Sequence, residues 1–342
     1  MSDTLHNALT PQEFVDGRVE LHQHHRFWSR AVLLVVEGNI GVGKTTLLER
    51  FAKESESIQR ELKNPYLEFE ILTEPLEAWT ADEKACAGLK VTKHIFSFLH
   101  TSLFILQNYY TDPYNFAYTF QSNVQLDYFK RLVRLCSDNA IADRRQRNVI
   151  TVIIMERSIH SARFVFTELA KQRGYLTDQA YKAITDLYQM TIDGYRHFAP
   201  LDGILYLQTP VEQCWNQIMR RNRPAETADD SILCPEYLAD VENLYNRWLK
   251  LPSPVHRRQG LSTTMGTLSI QVGRITHAQV IQPEADLEYC AYQKSVVNAA
   301  GLDPNSLYVT FRHALMRLIR FALLSRRALL MRARDRRSRE RR

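Results

Sequence analysis

The sequence predicts an α/β fold in which helices flank a mainly parallel β-sheet. Strand-like apolar runs recur along the chain, and longer helical patterns separate them. The first run, AVLLVVEG from Ala31, is apolar almost throughout, as is typical of a strand that is buried on both faces of a parallel sheet. A chain of 342 residues with 45% apolar and 24% charged residues is also typical of a globular protein, which excludes wholly disordered and collagen-like classes.

Five strands are predicted in order, at residues 31–38, 67–73, 149–155, 203–208 and 278–281. Ligands of such sheets gather at the carboxyl ends of the strands, so the residues that follow these runs are candidate site residues. The pattern is lost towards both ends of the chain. We therefore expect a flexible leader at residues 1–30, one α/β domain at 31–290, and a helical, arginine-rich extension at 291–342.

Positive charge is concentrated at the C-terminus. Nine arginines and two acidic residues give the segment from Arg326 to Arg342 a local charge of +7, while the whole chain has a net charge of +6. Such a run is typical of a tail that contacts nucleic acid, an acidic partner or a membrane surface. It also resembles a nuclear localisation signal. The sequence has no transmembrane segment, because it lacks an uncharged apolar run of about 20 residues. It shows no secretory or clear mitochondrial signal, so we expect a cytoplasmic protein, with the nucleus as a second location.

The first strand leads directly into a phosphate-binding loop. The pattern G-x-x-x-x-G-K-T stands between that strand and a predicted helix, which is the context that the pattern requires. Its glycines let successive N–H groups form an anion nest, Lys44 adds a cation for the phosphates, and Thr45 offers a hard oxygen to Mg²⁺. The predicted nucleotide-binding residues are Gly38, Asn39, Ile40, Gly41, Val42, Gly43, Lys44, Thr45 and Thr46. The loop alone leaves open a kinase, a GTPase, a motor ATPase or an inert nucleotide sensor.

Charged residues follow the next strands. Glu74 directly follows the second run, where a carboxylate can take a proton from an attacking hydroxyl. Glu156 and Arg157 follow the third run, where a carboxylate can approach a metal ion and a guanidinium can hold a phosphate. Arg221 and Arg223 lie in a basic cluster that is usually a solvated helix face, but that in a phosphate-loop enzyme is typical of a lid over the donor phosphates.

These residues lie in segments that resemble the deoxyribonucleoside kinases of the thymidine kinase 2, deoxycytidine kinase and deoxyguanosine kinase type, a family with animal and viral members. The matching segments are EGNIGVGKTT (37–46), TEPLEAW (73–79), YTDPYNFAYTFQ (110–121), MERSIHSARFVF (155–166) and RNRPAE (221–226). The resemblance implies a P-loop kinase with a parallel five-stranded sheet, flanking helices and a lid. It also implies a homodimer that transfers phosphate from ATP, with Mg²⁺, to the 5′-hydroxyl of a deoxyribonucleoside for nucleotide salvage.

The resemblance further implies roles for single residues around the reacting groups. Glu74 resembles the base that deprotonates the 5′-hydroxyl, and Arg157 resembles the residue that assists it. Thr45 and Glu156 resemble the metal-side residues. The two lid arginines resemble contacts to ATP.

On the acceptor side, Gln121 resembles the amide that binds the base edge through two hydrogen bonds, which one planar donor and acceptor group can make. Tyr110 and Glu226 resemble the pair that binds the sugar 3′-hydroxyl. An aromatic face suits a planar base. The aromatic residues that resemble walls of the base pocket are Trp79, Phe120 and Phe166.

Three positions bear on the choice of nucleoside. Family members that accept cytidine or purines have an arginine and an aspartate near the base, whereas members that accept thymidine have small apolar residues. The matching residues here are Val124, Tyr128 and Ala162. They favour thymidine, with deoxyuridine and deoxycytidine as secondary substrates, although Tyr128 matches neither subgroup.

The sequence differs from the family at two segments, and two alternative functions remain possible. The sequence has an apparent insertion at residues 81–93 and extra lid residues at 227–231. A thymidylate kinase, which acts on a nucleoside monophosphate, shares the loop and the arginine lid. A non-catalytic nucleotide-binding protein would act instead through nucleic-acid binding by the basic tail.

Overall fold

The computed structural model describes residues 31–74, 105–135, 138–195, 201–249, 269–270, 275–278 and 293–340. Seven strands in these residues form one sheet: β1 (Ala31–Gly38), β2 (Leu67–Leu72), β3 (Ile150–Glu156), β4 (Gly203–Gln208), β5 (Ser269–Ile270), β6 (Ile275–Ala278) and β7 (Gln293–Asn298). Their order across the sheet is β2-β3-β1-β4-β7-β6-β5. The predicted leader at residues 1–30 and the apparent insertion at 81–93 lie outside the described residues.

Five strands, in the order β2-β3-β1-β4-β7, run parallel to one another. Strand β1 lies in the middle, and all eight of its residues are buried, as its nearly uninterrupted apolar sequence predicts. Strands β6 and β5 extend the sheet beyond β7 in antiparallel pairing. The predicted parallel five-stranded sheet is therefore confirmed, and two short antiparallel strands are added to its edge.

The fifth parallel strand of the described residues is not the run predicted at residues 278–281, of which 279–281 lie outside the described residues. Ala278 ends the antiparallel strand β6, and the fifth parallel strand is β7, which pairs with β4 along its whole length. Strand β7 has the sequence QKSVVN, so it lacks the continuous apolar run by which central strands are recognised. Its place beside β4, rather than an intrinsic preference of its residues, accounts for its strand conformation.

Helices separate the strands along the chain. They are α1 (Lys44–Lys53), α2 (Ser55–Glu61), α3 (Ile105–Thr111), α4 (Pro113–Leu135), α5 (Asp138–Gln146), α6 (Ile159–Ser161), α7 (Glu168–Gln172), α8 (Asp178–Tyr195), α9 (Val211–Arg221), α10 (Pro224–Thr227), α11 (Pro235–Trp248) and α12 (Pro304–Glu340). A π-helical segment, Ala162–Thr167, joins α6 to α7. Such segments are rare and frequently occur at functional sites. Within the parts of the chain that the structure describes, no helix is long and apolar enough to cross a bilayer.

The first half of α12 packs into the core of the domain. Phe311 meets Phe51 of α1 edge to face, with ring centroids 6.4 Å apart, and Arg312 pairs with Glu61 at 2.6 Å. Buried residues recur on this helix with the helical period, which is typical of a helix that packs one face on a core. They include Leu307, Tyr308, Phe311, Ala314, Leu315, Leu318, Ile319 and Ala322. Because β7 and this half of α12 complete the sheet and core, we propose that the domain extends past residue 290 to about residue 323.

The packing of α12 predicts a large loss of stability when Phe311 is truncated. Phe311 is fully buried, whereas Phe321 on the same helix is 44% exposed and serves as the matched control. Phe311→Ala should lower the free energy of unfolding by about 3–5 kcal/mol, and Phe321→Ala by less than about 1 kcal/mol. Denaturant titration followed by circular dichroism measures both changes. A loss at Phe311 no larger than that at Phe321 would show that α12 is not part of the core.

Candidate active site

The loop between β1 and α1 has a backbone conformation that glycine permits. Gly41 and Gly43 are left-handed, with φ angles of 80° and 88°, which glycine adopts at little cost. A Cβ atom on Gly41 would lie 2.5 Å from the carbonyl oxygen of Cys214 in α9. The loop therefore packs closely against α9 at the N-terminus of α1, where backbone N–H groups and the helix dipole favour an anion.

Lys44 is buried within this loop. Its Nζ donates hydrogen bonds to the carbonyl oxygens of Gly38 and Asn39, at 3.3 and 2.9 Å. Burial lowers the pKa of Lys44 to about 8, and the nearby Arg157 cation acts in the same direction, while Glu156 opposes it. The lysine is therefore mostly protonated at neutral pH and loses its proton at moderately alkaline pH.

The side chain of Asn39 is directed away from the loop's phosphate side. Its Nδ2 donates to the carbonyl oxygen of Leu238 in α11 at 2.8 Å, and its Oδ1 accepts from the backbone N–H of Ile40. Neither Asn39 nor Gly38 borders the cavity described below. The structure thus gives these two predicted nucleotide contacts a part in holding the loop and Lys44.

Thr45 and Glu156 bring oxygen atoms together at the end of β3. Thr45 Oγ1 lies 3.0 and 2.9 Å from the two carboxylate oxygens of Glu156, and the backbone N–H of Glu74 donates to the same carboxylate at 3.4 Å. Burial and the charge of Glu74 raise the pKa of Glu156, whereas Lys44 and Arg157 oppose that rise. A hydroxyl and a carboxylate are the hard oxygen donors that Mg²⁺ prefers.

Glu74 and Arg157 form an ion pair where β2 and β3 end side by side. Arg157 Nε lies 2.6 Å from Glu74 Oε1, and only 7% and 14% of the two side chains are exposed. The Arg157 guanidinium also lies over the ring of Phe166, 4.6 Å from its centroid. Arg157 has a φ angle of 59°, a left-handed conformation that costs free energy for a residue with a Cβ atom and that clusters at functional sites.

A cavity of about 1120 Å³ is lined by the loop, by this ion pair and by helix α4. The predicted site residues that border it are Ile40, Gly41, Val42, Gly43, Lys44, Thr45, Thr46, Glu74, Tyr110, Phe120, Gln121, Val124, Tyr128, Glu156, Arg157, Ala162, Phe166, Arg221, Arg223 and Glu226. Trp79 lies outside the described residues. The structure therefore brings residues predicted for a phosphate donor and residues predicted for an acceptor to one cavity.

Gln121 presents an unusual polar group to this cavity. The residue is fully buried. Neither atom of its amide makes a hydrogen bond of good geometry to the described residues, and the Tyr109 hydroxyl is its looser polar neighbour. An unsatisfied buried donor or acceptor costs about 1–3 kcal/mol. Gln125, one turn later, is also unpaired in this sense, but it does not border the cavity. Of the two amides, that of Gln121 can bind a polar group in the cavity.

Two tyrosines that were not predicted line the same wall. Tyr109 stacks on Phe120, with ring centroids 4.8 Å apart and planes 11° from parallel. Its hydroxyl lies 3.4 Å from that of Tyr237 in α11, and both tyrosines border the cavity. Apolar spacing alone does not distinguish such residues from core aromatics, so sequence patterns had no means of selecting them.

Tyr128 connects α4 to the end of β3. Its hydroxyl donates to the backbone carbonyl of Glu156 at 3.3 Å. Burial raises the pKa of Tyr128 well above its usual range, and the charge of Glu74 acts in the same direction. The phenol therefore keeps its proton and remains a donor. Ala162, at the start of the π-helical segment, and Val124 border the cavity together with Tyr128.

The predicted lid arginines are bound to the predicted sugar ligand Glu226. Arg221 donates from Nε and Nη2 to the two oxygens of this carboxylate, at 2.7 and 2.5 Å, and Arg223 lies 3.5 Å away. Burial and the charge of Glu226 raise the pKa of Tyr110 above its usual range. The N–H of Ile232 donates to the Tyr110 carbonyl at 2.8 Å. The lid and the predicted sugar pair thus form one connected unit.

The cavity extends past the predicted residues to the beginning of α12. Leu302, Pro304, Leu307 and Tyr308 border it there. No sequence motif marks these residues. They follow β7, the fifth parallel strand. Because ligands gather after the ends of parallel strands, the position of β7 is the signal that identifies them.

Comparisons with known proteins agree with this geometry. The family model of deoxynucleoside kinases matches residues 34–280. Mitochondrial deoxyguanosine kinase of Xenopus laevis is 28% identical over 216 residues, which are 63% of this chain and 72% of that protein. Deoxycytidine kinase 2 of Gallus gallus is 26% identical over 226 residues, 65% of this chain and 76% of that protein. Mitochondrial thymidine kinase 2 of Homo sapiens is 28% identical over 218 residues, 64% of each chain. These relatives are named for three different nucleosides.

Proposed function

Because this chain belongs to the deoxynucleoside kinase family, and is therefore a nucleoside kinase, we propose that it phosphorylates the 5′-hydroxyl of thymidine with ATP. The observation that carries the proposal is the buried amide of Gln121, which lacks a hydrogen bond of good geometry to the described residues and borders the same cavity as Lys44 and Glu74. The edge of a nucleobase offers an adjacent donor and acceptor, which would satisfy both atoms of that amide.

ATP would lie with its phosphates in the loop between β1 and α1. Backbone N–H groups and Lys44 suit the β- and γ-phosphates. The adenosine would extend along the part of the cavity that Leu302 and Tyr308 border. The Arg50 guanidinium lies 3.9 Å above the Tyr308 ring, so this aromatic residue is held at the cavity wall.

Glu74 would act as the general base. Its carboxylate would accept the proton of the 5′-hydroxyl as the nucleoside oxygen attacks the terminal phosphorus, and the bond from that phosphorus to the bridging oxygen of ADP would break. Arg157, fixed on Glu74, would orient the carboxylate and attract the negative charge of the transferring group.

The residues present fit a Mg²⁺ ion on the phosphate side. Thr45 Oγ1 and the Glu156 carboxylate lie within 3.0 Å of each other, and these two groups would hold the ion. When bound, the ion would neutralise charge on the phosphate oxygens.

The cavity wall favours thymidine among the deoxynucleosides. Phe120 and Phe166 would face the base, and Gln121 would bind its edge. Val124 and Ala162 are small and apolar, so they leave room for a C5 methyl group without placing a charge beside it. Tyr128 narrows the same wall, which favours a pyrimidine over a larger purine.

Exposed apolar residues on α4 and α8 support the proposal of a homodimer. Tyr114, Tyr118, Leu126 and Val133 of α4 are exposed, and so is Met190 of α8. A second copy of the chain would cover these residues. Sedimentation equilibrium of the purified protein should give twice the chain mass, and a monomer at micromolar concentration would contradict this assignment.

The arginine-rich end of α12 supports contact with an anionic partner, of which nucleic acid is the one we propose. The helix is continuous from Pro304 to Glu340, and its basic run would bind phosphates with a steep dependence on salt. Truncation at Ser325 should abolish such binding to an oligonucleotide, and salt-independent binding would contradict it. The same truncation, made in a fluorescently tagged protein and followed by microscopy, tests whether the arginine-rich run is a nuclear localisation signal.

We expect thymidine to be phosphorylated faster than the other three deoxynucleosides when each is incubated with labelled ATP and Mg²⁺.

Ala162→Asp should lower kcat/KM for thymidine about 100-fold, because the new carboxylate is buried beside the methyl group without a partner. The neutral Ala162→Ser should stay within about fivefold of wild type. Unchanged thymidine efficiency in the aspartate variant would contradict the placement of Ala162. A product from thymidylate alone would instead identify a monophosphate kinase, and no product at all would leave the non-catalytic alternative.

The depressed pKa of Lys44 predicts an alkaline loss of ATP use. The protonated lysine attracts phosphate, and with a pKa of about 8 it is mostly charged at pH 7 and mostly neutral at pH 9. The value of kcat/KM for ATP, which reports on groups of the free enzyme, should fall about tenfold between these pH values. Lys44→Arg, whose charge persists, should be slower overall but lack this fall. A flat wild-type profile would contradict the assignment.

A further inference from the structure

A second carboxylate lies buried behind the ion pair, and the proposed reaction does not use it. Glu37 is at the end of β1, is fully buried and does not border the cavity. Its Oε1 accepts a hydrogen bond from Ser158 Oγ at 2.7 Å, and its Oε2 accepts one from the Tyr245 hydroxyl at 2.9 Å. Burial raises the pKa of Glu37, while Arg157 and the two hydroxyl donors oppose that rise.

The Tyr245 hydroxyl connects this carboxylate to the cavity. It donates to Glu37 and accepts a hydrogen bond from Arg157 Nη1 at 2.7 Å. Arg157 Nη1 also donates to the Gly38 carbonyl at 3.0 Å, and its Nε is paired with Glu74. A continuous chain of contacts therefore runs from Glu37 through Tyr245 and Arg157 to Glu74.

We propose that Glu37 and Tyr245 are positioning residues that hold the Arg157 guanidinium in the orientation in which it aligns Glu74 with the nucleoside hydroxyl. The inference rests on the proposed function, because it assigns the base role to Glu74. Neither residue touches the cavity, so each acts through Arg157.

These contacts give the buried arginine a partner that persists during the reaction. When Glu74 accepts the hydroxyl proton, its carboxylate becomes neutral and no longer balances the charge of Arg157. Burying an unpaired charge is costly. Glu37 remains connected to Arg157 through the Tyr245 hydroxyl, so the guanidinium keeps a hydrogen-bond partner that the reaction does not alter. These contacts also fix the side chain of Arg157. Its left-handed backbone conformation is strained and persists only where the surrounding structure fixes it.

The same molecule contains a matched control for this chain of contacts. Arg163 Nη2 donates to the Tyr181 hydroxyl at 2.7 Å, and that hydroxyl donates to Glu168 at 2.8 Å. The order arginine, tyrosine, carboxylate is the same, although Arg163 also contacts Glu168 directly at 3.4 Å and Tyr181 is less buried than Tyr245. None of these three residues borders the cavity. Removal of the Tyr181 hydroxyl therefore tests the general effect of losing such a contact without touching Arg157.

The experiment compares Tyr245→Phe with Tyr181→Phe in steady-state phosphorylation of thymidine by ATP. Tyr245→Phe should lower kcat about tenfold, which corresponds to 1.4 kcal/mol, with KM for both substrates within about twofold of wild type. Tyr181→Phe should leave kcat within about twofold. Glu37→Gln should also lower kcat. The double variant Glu37→Gln with Tyr245→Phe should be no slower than the slower single variant, because both changes interrupt the same series of contacts.

The outcomes separate this inference from the proposed function. If the wild type phosphorylates no nucleoside, the proposed function fails. If the wild type is active but Tyr245→Phe keeps its kcat, or if Tyr181→Phe loses as much, the positioning role is overturned. An effect confined to KM, or losses that multiply in the double variant, would also overturn it. Should Tyr245→Phe fail to fold by circular dichroism, the same kcat and KM criteria applied to Glu37→Gln decide the question.

Discussion

The ion pair between Glu74 and Arg157 connects parts of the chain that are far apart in sequence, and the geometry of the cavity depends on it. Glu74 follows β2 and Arg157 follows β3, and the parallel pairing of these strands places both at one edge of the sheet. Arg157 also donates to Gly38, the first residue of the phosphate-binding loop. A single guanidinium thus joins the base proposed for the acceptor to the loop proposed for the donor, and fixes the distance between them.

This arrangement concentrates buried charge, and the structure balances it locally. Lys44 and Arg157 are surrounded by Glu37, Glu74 and Glu156, and all but Glu74 are among the buried residues. Buried ions are stable only when they are paired and hydrogen-bonded, and each of these groups has such partners. The buried amide of Gln121 is the opposite case, because it lacks a hydrogen bond of good geometry to the described residues and a bound ligand would supply one. Together they support a site that is formed before its ligands bind.

Sequence patterns predicted the parts of this site that local rules govern. The apolar run of β1, the glycine pattern after it and the family segments indicated the loop, Glu74, Gln121 and Arg157. They missed β7, because a strand beside β4 does not need a fully apolar sequence. They also missed Tyr245 and the side-chain direction of Asn39, because both depend on α11, which is about 200 residues away along the chain. Contacts between distant elements leave no periodic signal.

The proposed reaction requires Glu74 to remove a proton from a nucleoside held in the same cavity. Glu74→Gln keeps the shape of the side chain and removes the base, so calorimetry should find thymidine affinity within about threefold of wild type while turnover falls at least about 100-fold. Glu70→Gln is the control, since Glu70 lies on β2 outside the cavity and pairs with Arg144, and its turnover should stay within about twofold. Turnover of Glu74→Gln within tenfold of wild type, with thymidine bound normally, would show that Glu74 is not the base.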